Sequence, residues 1–278
     1  LNIGVLFFFA VGSISEVAIF MAGWGSHNKY SLLGGMRAIA QMISYEIPFV
    51  LSALTVVMVV GSLSTSQIVE AQTLHFLVED PEGFSGFCQR LVCHLGNTLG
   101  GWFVFQPWGF FGFIIFFIAA LAELNRSPFD IPEAESELIA GHHTEYSGFK
   151  FALFALAEYI SMIAVCGLGA TLFLGGWNGP KFLPSWGWFF LKTFSLMFMM
   201  IWVRGTFPRL RVDQLMELAW IFLLPLSLVN IFAAGIWCHI PYRSLGWFLT
   251  AILLGGAYTL FSRAVSVRCL QKREYRYA

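Results

Sequence analysis

Six carboxylates crowd into one stretch of the chain, Ala122 to Gly148, which reads AELNRSPFDIPEAESELIAGHHTEYSG. They are Glu123, Asp130, Glu133, Glu135, Glu137 and Glu145, and the stretch offers them a single cation, Arg126. Neighbouring carboxylates cannot all ionise cheaply, so their titrations become a shared property and the group can store and pass protons. In Glu133-x-Glu135-x-Glu137 the first and third acids share a face if the backbone is helical, and all three line one side if it is extended. The simpler account is a solvated acidic loop, with Pro132 opening a short helix whose dipole favours the acids. Against it stands the rest of the chain: only 12% of residues are charged, yet this one loop holds six of the sixteen acids.

The elements that must hold this loop are apolar. The chain has 278 residues, 58% of them hydrophobic and 17% aromatic, with a mean hydropathy of +0.72. That composition belongs to a polytopic membrane protein, and the fold class is an all-α helix bundle. At about twenty apolar residues per crossing, seven spans are expected, near 2–22, 38–61, 103–122, 149–175, 186–203, 215–238 and 246–263, in one membrane domain. The connections 23–37, 123–148 and 204–214 and the tail 264–278 carry Lys29, Arg37, Arg126, Lys150, Arg204, Arg209, Arg211, Arg268, Lys272, Arg273 and Arg276; the other side has Arg90, Lys181 and Arg243. The positive-inside rule therefore puts the acidic loop and the C-terminus in the cytoplasm. A formal net charge of zero without a long basic run argues against nucleic acid as a partner. The start, Leu1-Asn2-Ile3, runs almost at once into an apolar segment with no charged lead, so it does not read as a signal peptide.

Three acids, Glu16, Glu46 and Glu158, fall inside the expected spans, where an ionised carboxylate costs about 2.5–3.5 kcal/mol on insertion scales. Counted along the helices they lie at one depth, about 10–15 Å from the cytoplasmic ends. Each needs a partner, a proton or water. Arg37 and Lys150 are the cations near enough in sequence, both at the interface, whereas Lys192 is expected to snorkel to the outer surface. Trp24 to Arg37 and Arg204 to Asp213 combine charge, aromatics and turn residues, as a docking face or as plain membrane-anchoring charge. The outer connection 62–102 with its approach Trp102 to Trp108, and Trp177, Trp186, Trp188 and Trp247, are expected at the membrane interface. His142 and His143 could titrate near neutrality but, being adjacent, point apart and make a poor metal site. Cys88, Cys93, Cys166, Cys238 and Cys269 have no metal-ligand spacing; Cys88 and Cys93 could pair in an oxidising compartment, but two free thiols are the better reading.

The central loop, with GWGSHNKYSLLGGMRAIAQMISYEIP from Gly23, QPWGF from Gln106, KFALFALAEY from Lys150, FLGGW from Phe173 and WVRGTFPRLRVDQLM from Trp202, resembles the H-subunit family of proton-pumping NADH:quinone oxidoreductase. The mitochondrial counterpart is subunit 1 of respiratory complex I. The resemblance implies a membrane-arm subunit that forms part of the quinone chamber and the first part of an acidic proton path. Residue by residue, Asp130, Glu133, Glu135, Glu137, Glu145 and Glu158 match acids of that path, Glu46 matches the acid of the SYE motif, Glu123 opens the central loop and Glu16 matches loosely. Trp24, Lys29, Arg37, Arg126, Arg209, Arg211 and Asp213 fall on the quinone-chamber and docking face. The family carries further spans before the position of Leu1. The implied setting is a bacterial plasma membrane or, alternatively, a mitochondrial inner membrane, with other membrane and hydrophilic subunits as partners. Quinone is the implied substrate, no cofactor is bound by this chain, and flavin and iron–sulfur clusters belong to partner subunits; the isolated chain is expected to be inactive. The rival readings are the anchor subunit of a related membrane-bound hydrogenase and a stand-alone carrier, although no internal repeat of the carrier type is present.

Overall fold

The computed structural model describes residues 2–74, 101–130, 141–180, 183–240 and 243–270, with the side chains of 73–74, 142, 243–245 and 264–270 excepted. Among these residues every regular element is a helix. In chain order they are α1 (Gly4–Gly25), α2 (Lys29–Val60), α3 (Thr65–Leu74), α4 (Pro107–Glu123), α5 (Phe149–Phe173), α6 (Ser185–Thr206), α7 (Val212–Glu217), α8 (Leu224–His239) and α9 (Arg243–Leu270), with a π-helical turn, Leu218–Leu223, joining α7 to α8. Five stretches are long and apolar enough to cross a membrane: α1, α2, α5, α6 and the run Val212–His239. Helix α4 is apolar but shorter. The chain is a membrane helix bundle.

Helix α2 is the central post, packed against α1, α4 and α8. Asn28 starts it, its side chain accepting the Tyr30 N–H at 3.0 Å, and Gly61 ends it at φ 74°, the left-handed turn that glycine allows without steric cost. The apolar run predicted from residue 38 is only the inner part of this helix. Its 32 residues make a rod of about 48 Å at 1.5 Å per residue, longer than a hydrocarbon core of about 30 Å requires. Where α1 crosses α2, Gly23 faces Gly35: a Cβ on Gly23 would lie 3.2 Å from the Ser31 carbonyl and 3.5 Å from the Gly35 Cα. Small residues let membrane helices approach this closely.

The core is aromatic. Phe49 packs on Phe116 at 4.7 Å and Phe116 on Phe173 at 5.5 Å between ring centroids, joining α2, α4 and α5. The outside is apolar too, with Leu6, Phe7, Val11, Ile14 and Val17 of α1 and Phe190, Phe194 and Phe198 of α6 all exposed. That surface suits lipid.

Two expectations at the membrane edges need correction. Trp108 is fully buried: Pro107 begins α4 and turns the indole inward onto Phe103, 5.2 Å away. Lys192 does not snorkel; it is 5% exposed. Its ammonium donates to the carbonyls of Leu174, Gly176 and Asn178 at 2.6, 3.0 and 2.5 Å and sits 4.1 Å over the Trp102 ring. The turn after α5, with Gly175 and Gly176 at positive φ, points its carbonyls at the lysine and makes a polar pocket that the sequence does not announce.

Candidate functional site

Helices α1, α2 and α4 bring three carboxyls together. Glu16 shares a side-chain hydrogen bond with Glu46, and Glu123, in the last turn of α4, lies near enough for the charges of both to act on it. A hydrogen bond between two carboxyls needs one proton between them, since an ionised carboxylate only accepts. Ser13, one turn before Glu16 on the same face of α1, has its Oγ 2.5 Å from Glu46 Oε1 and 3.0 Å from the Phe9 carbonyl. When Glu46 is ionised the hydroxyl donates to it; when Glu46 is protonated the hydroxyl accepts and turns its own proton to Phe9. Glu16 Oε1 and Glu123 Oε2 are buried without a hydrogen-bond partner among the described residues. Neighbouring carboxyls of this kind titrate as a coupled group. Ser13 escaped the sequence analysis, although its three-residue offset from Glu16 was the available signal.

Glu158 belongs to a second group. Its Oε2 is 3.1 Å from Arg126 Nη2 and its Oε1 is 3.6 Å from His143 Nε2. The Arg126 guanidinium also lies 4.9 Å over the Tyr159 ring, and the His143 ring packs edge-on against Phe151 and Phe154. Arg37 and Lys150 are the cations expected near the buried acids; Arg126 is a partner of Glu158 that the sequence did not point to. The loop after α4 folds back to deliver it, because Gln41 of α2 donates to the carbonyls of Ala122 and Phe129 at 2.8 and 2.7 Å and pins both ends of the turn. The Leu210 N–H bonds the Pro128 carbonyl at 3.1 Å, joining the connection before α7 to the same turn.

A third cluster lies where α1, α2 and α5 begin or end. Asn28 donates to Glu145 at 2.7 Å and the Tyr146 hydroxyl donates to the Ala22 carbonyl at 2.9 Å. Gly25, Ser26, Glu145, Tyr146, Ser147, Phe149 and Lys150 line a hollow of about 400 Å³ there. Trp24, Lys29, Arg209, Arg211 and Asp213 are exposed, and Arg37 and Asp130 half-buried. Glu133, Glu135 and Glu137 lie outside the described residues, as do Cys88 and Cys93. Just before the π-turn, Leu215 on α7 gives its carbonyl to the Tyr45 hydroxyl at 2.8 Å, and the turn itself interrupts the α-helical ladder, as such turns often do near working sites.

Residues 1–235 match the family described as NADH dehydrogenase. The chain belongs to that family. It is 52% identical over 231 residues to the H subunit of NADH-quinone oxidoreductase from Dehalococcoides mccartyi, covering 83% of this chain and 57% of that one. It is 48% identical over 237 residues to an H subunit of the same enzyme from Geobacter sulfurreducens, covering 85% and 60%. With the H subunit from Bacillus mycoides it shares 48% over 240 residues, 85% of this chain and 63% of the relative. The chain thus spans about 57–63% of the length of these relatives. Family membership and the apolar helices place it in a membrane.

Proposed function

We propose that this chain works as a membrane subunit of a proton-translocating NADH:quinone oxidoreductase, contributing to the quinone chamber and carrying protons through its buried carboxyls. The observation that carries the reading is the cluster of Ser13, Glu16, Glu46 and Glu123 inside an apolar bundle. A purely structural ion pair would set a cation against these acids; here a carboxyl faces a carboxyl. Quinone reduction consumes two electrons and two protons, and the electrons come from flavin and iron–sulfur clusters that we assign to partner subunits. The acids of this chain then supply or receive protons as the quinone changes charge. Asp130, Glu145 and Glu158, and the loop acids Glu133, Glu135 and Glu137, extend the path toward the cytoplasm. Trp24, Lys29, Arg37, Arg126, Arg209, Arg211 and Asp213 belong to the chamber and the docking face of the hydrophilic partner. The names of the relatives favour this reading over a hydrogenase-type anchor. Their bacterial sources support a plasma membrane, and the positive-inside charge bias of the sequence puts the loop and the C-terminus on the cytoplasmic side.

The test is Glu46→Gln, alone and with Glu16→Gln, in the assembled complex. Glutamine keeps the shape and removes the exchangeable proton, so NADH-driven quinone reduction and membrane-potential formation should fall by about a hundredfold or more, the usual worth of a placed proton donor. Rates are normalised to intact complex on a native gel. Wild-type values for both activities in the double variant would overturn the proposal.

A further inference from the structure

Nine residues beyond Glu46 along α2, about 13 Å at helical rise, the bundle holds polar groups that the carboxyl cluster does not use. Asn230 of α8 is 0% exposed, and neither its Oδ1 nor its Nδ2 has a hydrogen-bond partner among the described residues. Thr55 of α2 is also fully buried; its hydroxyl donates to the Ser52 carbonyl at 2.6 Å, which leaves the oxygen as an acceptor. Gly112 of α4 lies between them. A Cβ on this glycine would stand 3.0 Å from Asn230 Nδ2, 3.3 Å from the Phe173 ring and 3.4 Å from Thr55 Oγ1. The amide nitrogen and the hydroxyl oxygen thus both lie within about 3.4 Å of one point beside Gly112, and no hydrogen bond joins them. A single water molecule can bridge two such atoms, with two bonds of about 2.8–3.0 Å, when they stand up to about 6 Å apart.

We propose that Thr55, Gly112 and Asn230 form an internal water site where α2, α4 and α8 meet. The water accepts from Asn230 Nδ2 and donates to Thr55 Oγ1, and its second hydrogen and remaining lone pair are available to Asn230 Oδ1 or a further water. The alternatives fit less well. An apolar occupant would leave both ends of the amide unsatisfied, and buried asparagines are kept in proteins when something bonds them. The glycine is part of the site, because a methyl group there would press on both polar atoms. Through the water, α2 is tied to α8 toward the far end of α2, as Tyr45 ties α2 directly to Leu215 nearer its start. The site stands apart from the proton path above and does not depend on it.

Two measurements on the intact complex test it. In a cryo-EM map that shows other buried waters, a peak should lie within about 3.2 Å of both the Asn230 amide and the Thr55 hydroxyl, and it should be lost in Asn230→Leu and in Gly112→Ala. Absence of the peak from the wild-type map, or an amide bonded directly to another protein group, overturns the inference. Hydroxyl-radical footprinting in membranes gives a second reading, because radicals form at bound water: Phe173 should be labelled in the wild type and fall to background in Asn230→Leu and Thr55→Val. Equal labelling in all three chains overturns it as well.

Discussion

Ser13 has one hydroxyl proton and two acceptors within reach, the Phe9 carbonyl and the Glu46 carboxyl, and that choice lets Glu46 gain or lose a proton without leaving an unmet bond on either side. Lys192 works the opposite way. Three carbonyls and a ring fix its ammonium in one place, so its charge serves the fold and has little freedom to do more. Lys192→Met keeps the length of the side chain and deletes the donors, stranding buried carbonyls at roughly 1–3 kcal/mol each. The expected outcome is a complex that loses this subunit at a lower temperature, followed by thermal denaturation and native gel, with Lys192→Arg intermediate; an unchanged transition in the Met variant would refute the role. Charge at depth was legible in the sequence, and it pointed to Glu16 and Glu46. The partners were not, since Ser13, the turn at Gly175 and Gly176, and the fold-back of Arg126 onto Glu158 depend on contacts between residues far apart in the chain.

At the scale of the element, the apolar runs told where helices lie but not which helix is central. Lipid tails and a neighbouring helix are equally apolar, so hydropathy cannot separate a face that meets the bilayer from one that meets protein. The seams show instead in small residues. Gly109 of α4 packs so closely that a Cβ would fall 1.9 Å from the Phe103 carbonyl oxygen, whereas one on Gly12 of α1 would meet nothing within 4 Å. Gly109→Ala must therefore push the short 3-10 turn Phe103–Phe105 off the start of α4, at a cost of about 1–3 kcal/mol or more. Gly12→Ala should be neutral or slightly stabilising, by up to about 1 kcal/mol. Expression and heat stability of the two variants side by side decide the matter; equal behaviour would mean that the tight seam at Phe103 is wrong. Trp108 departs from its expected place at the interface for the same reason, because tryptophan at a span end reads as a belt residue whichever way its ring turns.

At the scale of the whole molecule the charge asymmetry makes a statement about sides. Ser147, beside Lys150, and Ser66, on α3, are both exposed and lie toward opposite ends of the helices. With native cysteines replaced, Ser147→Cys should react with an impermeant maleimide only from the cytoplasmic side and Ser66→Cys only from the other. The reverse pattern would invert the assigned topology. The seating of α1 follows from the same carboxyls. This helix buries only Val5, Ala22 and Gly23 and has α2 as its principal neighbour, so its seat is mainly the seam with α2. Its fastenings are the glycine crossing and the Tyr146 bond to Ala22 at one end and, midway, the contacts of Ser13 and Glu16 with Glu46. With a proton between them the two carboxyls are a strap; without it, like charges face each other across the seam in a medium that screens them poorly. Protonation of this pair and the seating of α1 against α2 are then linked.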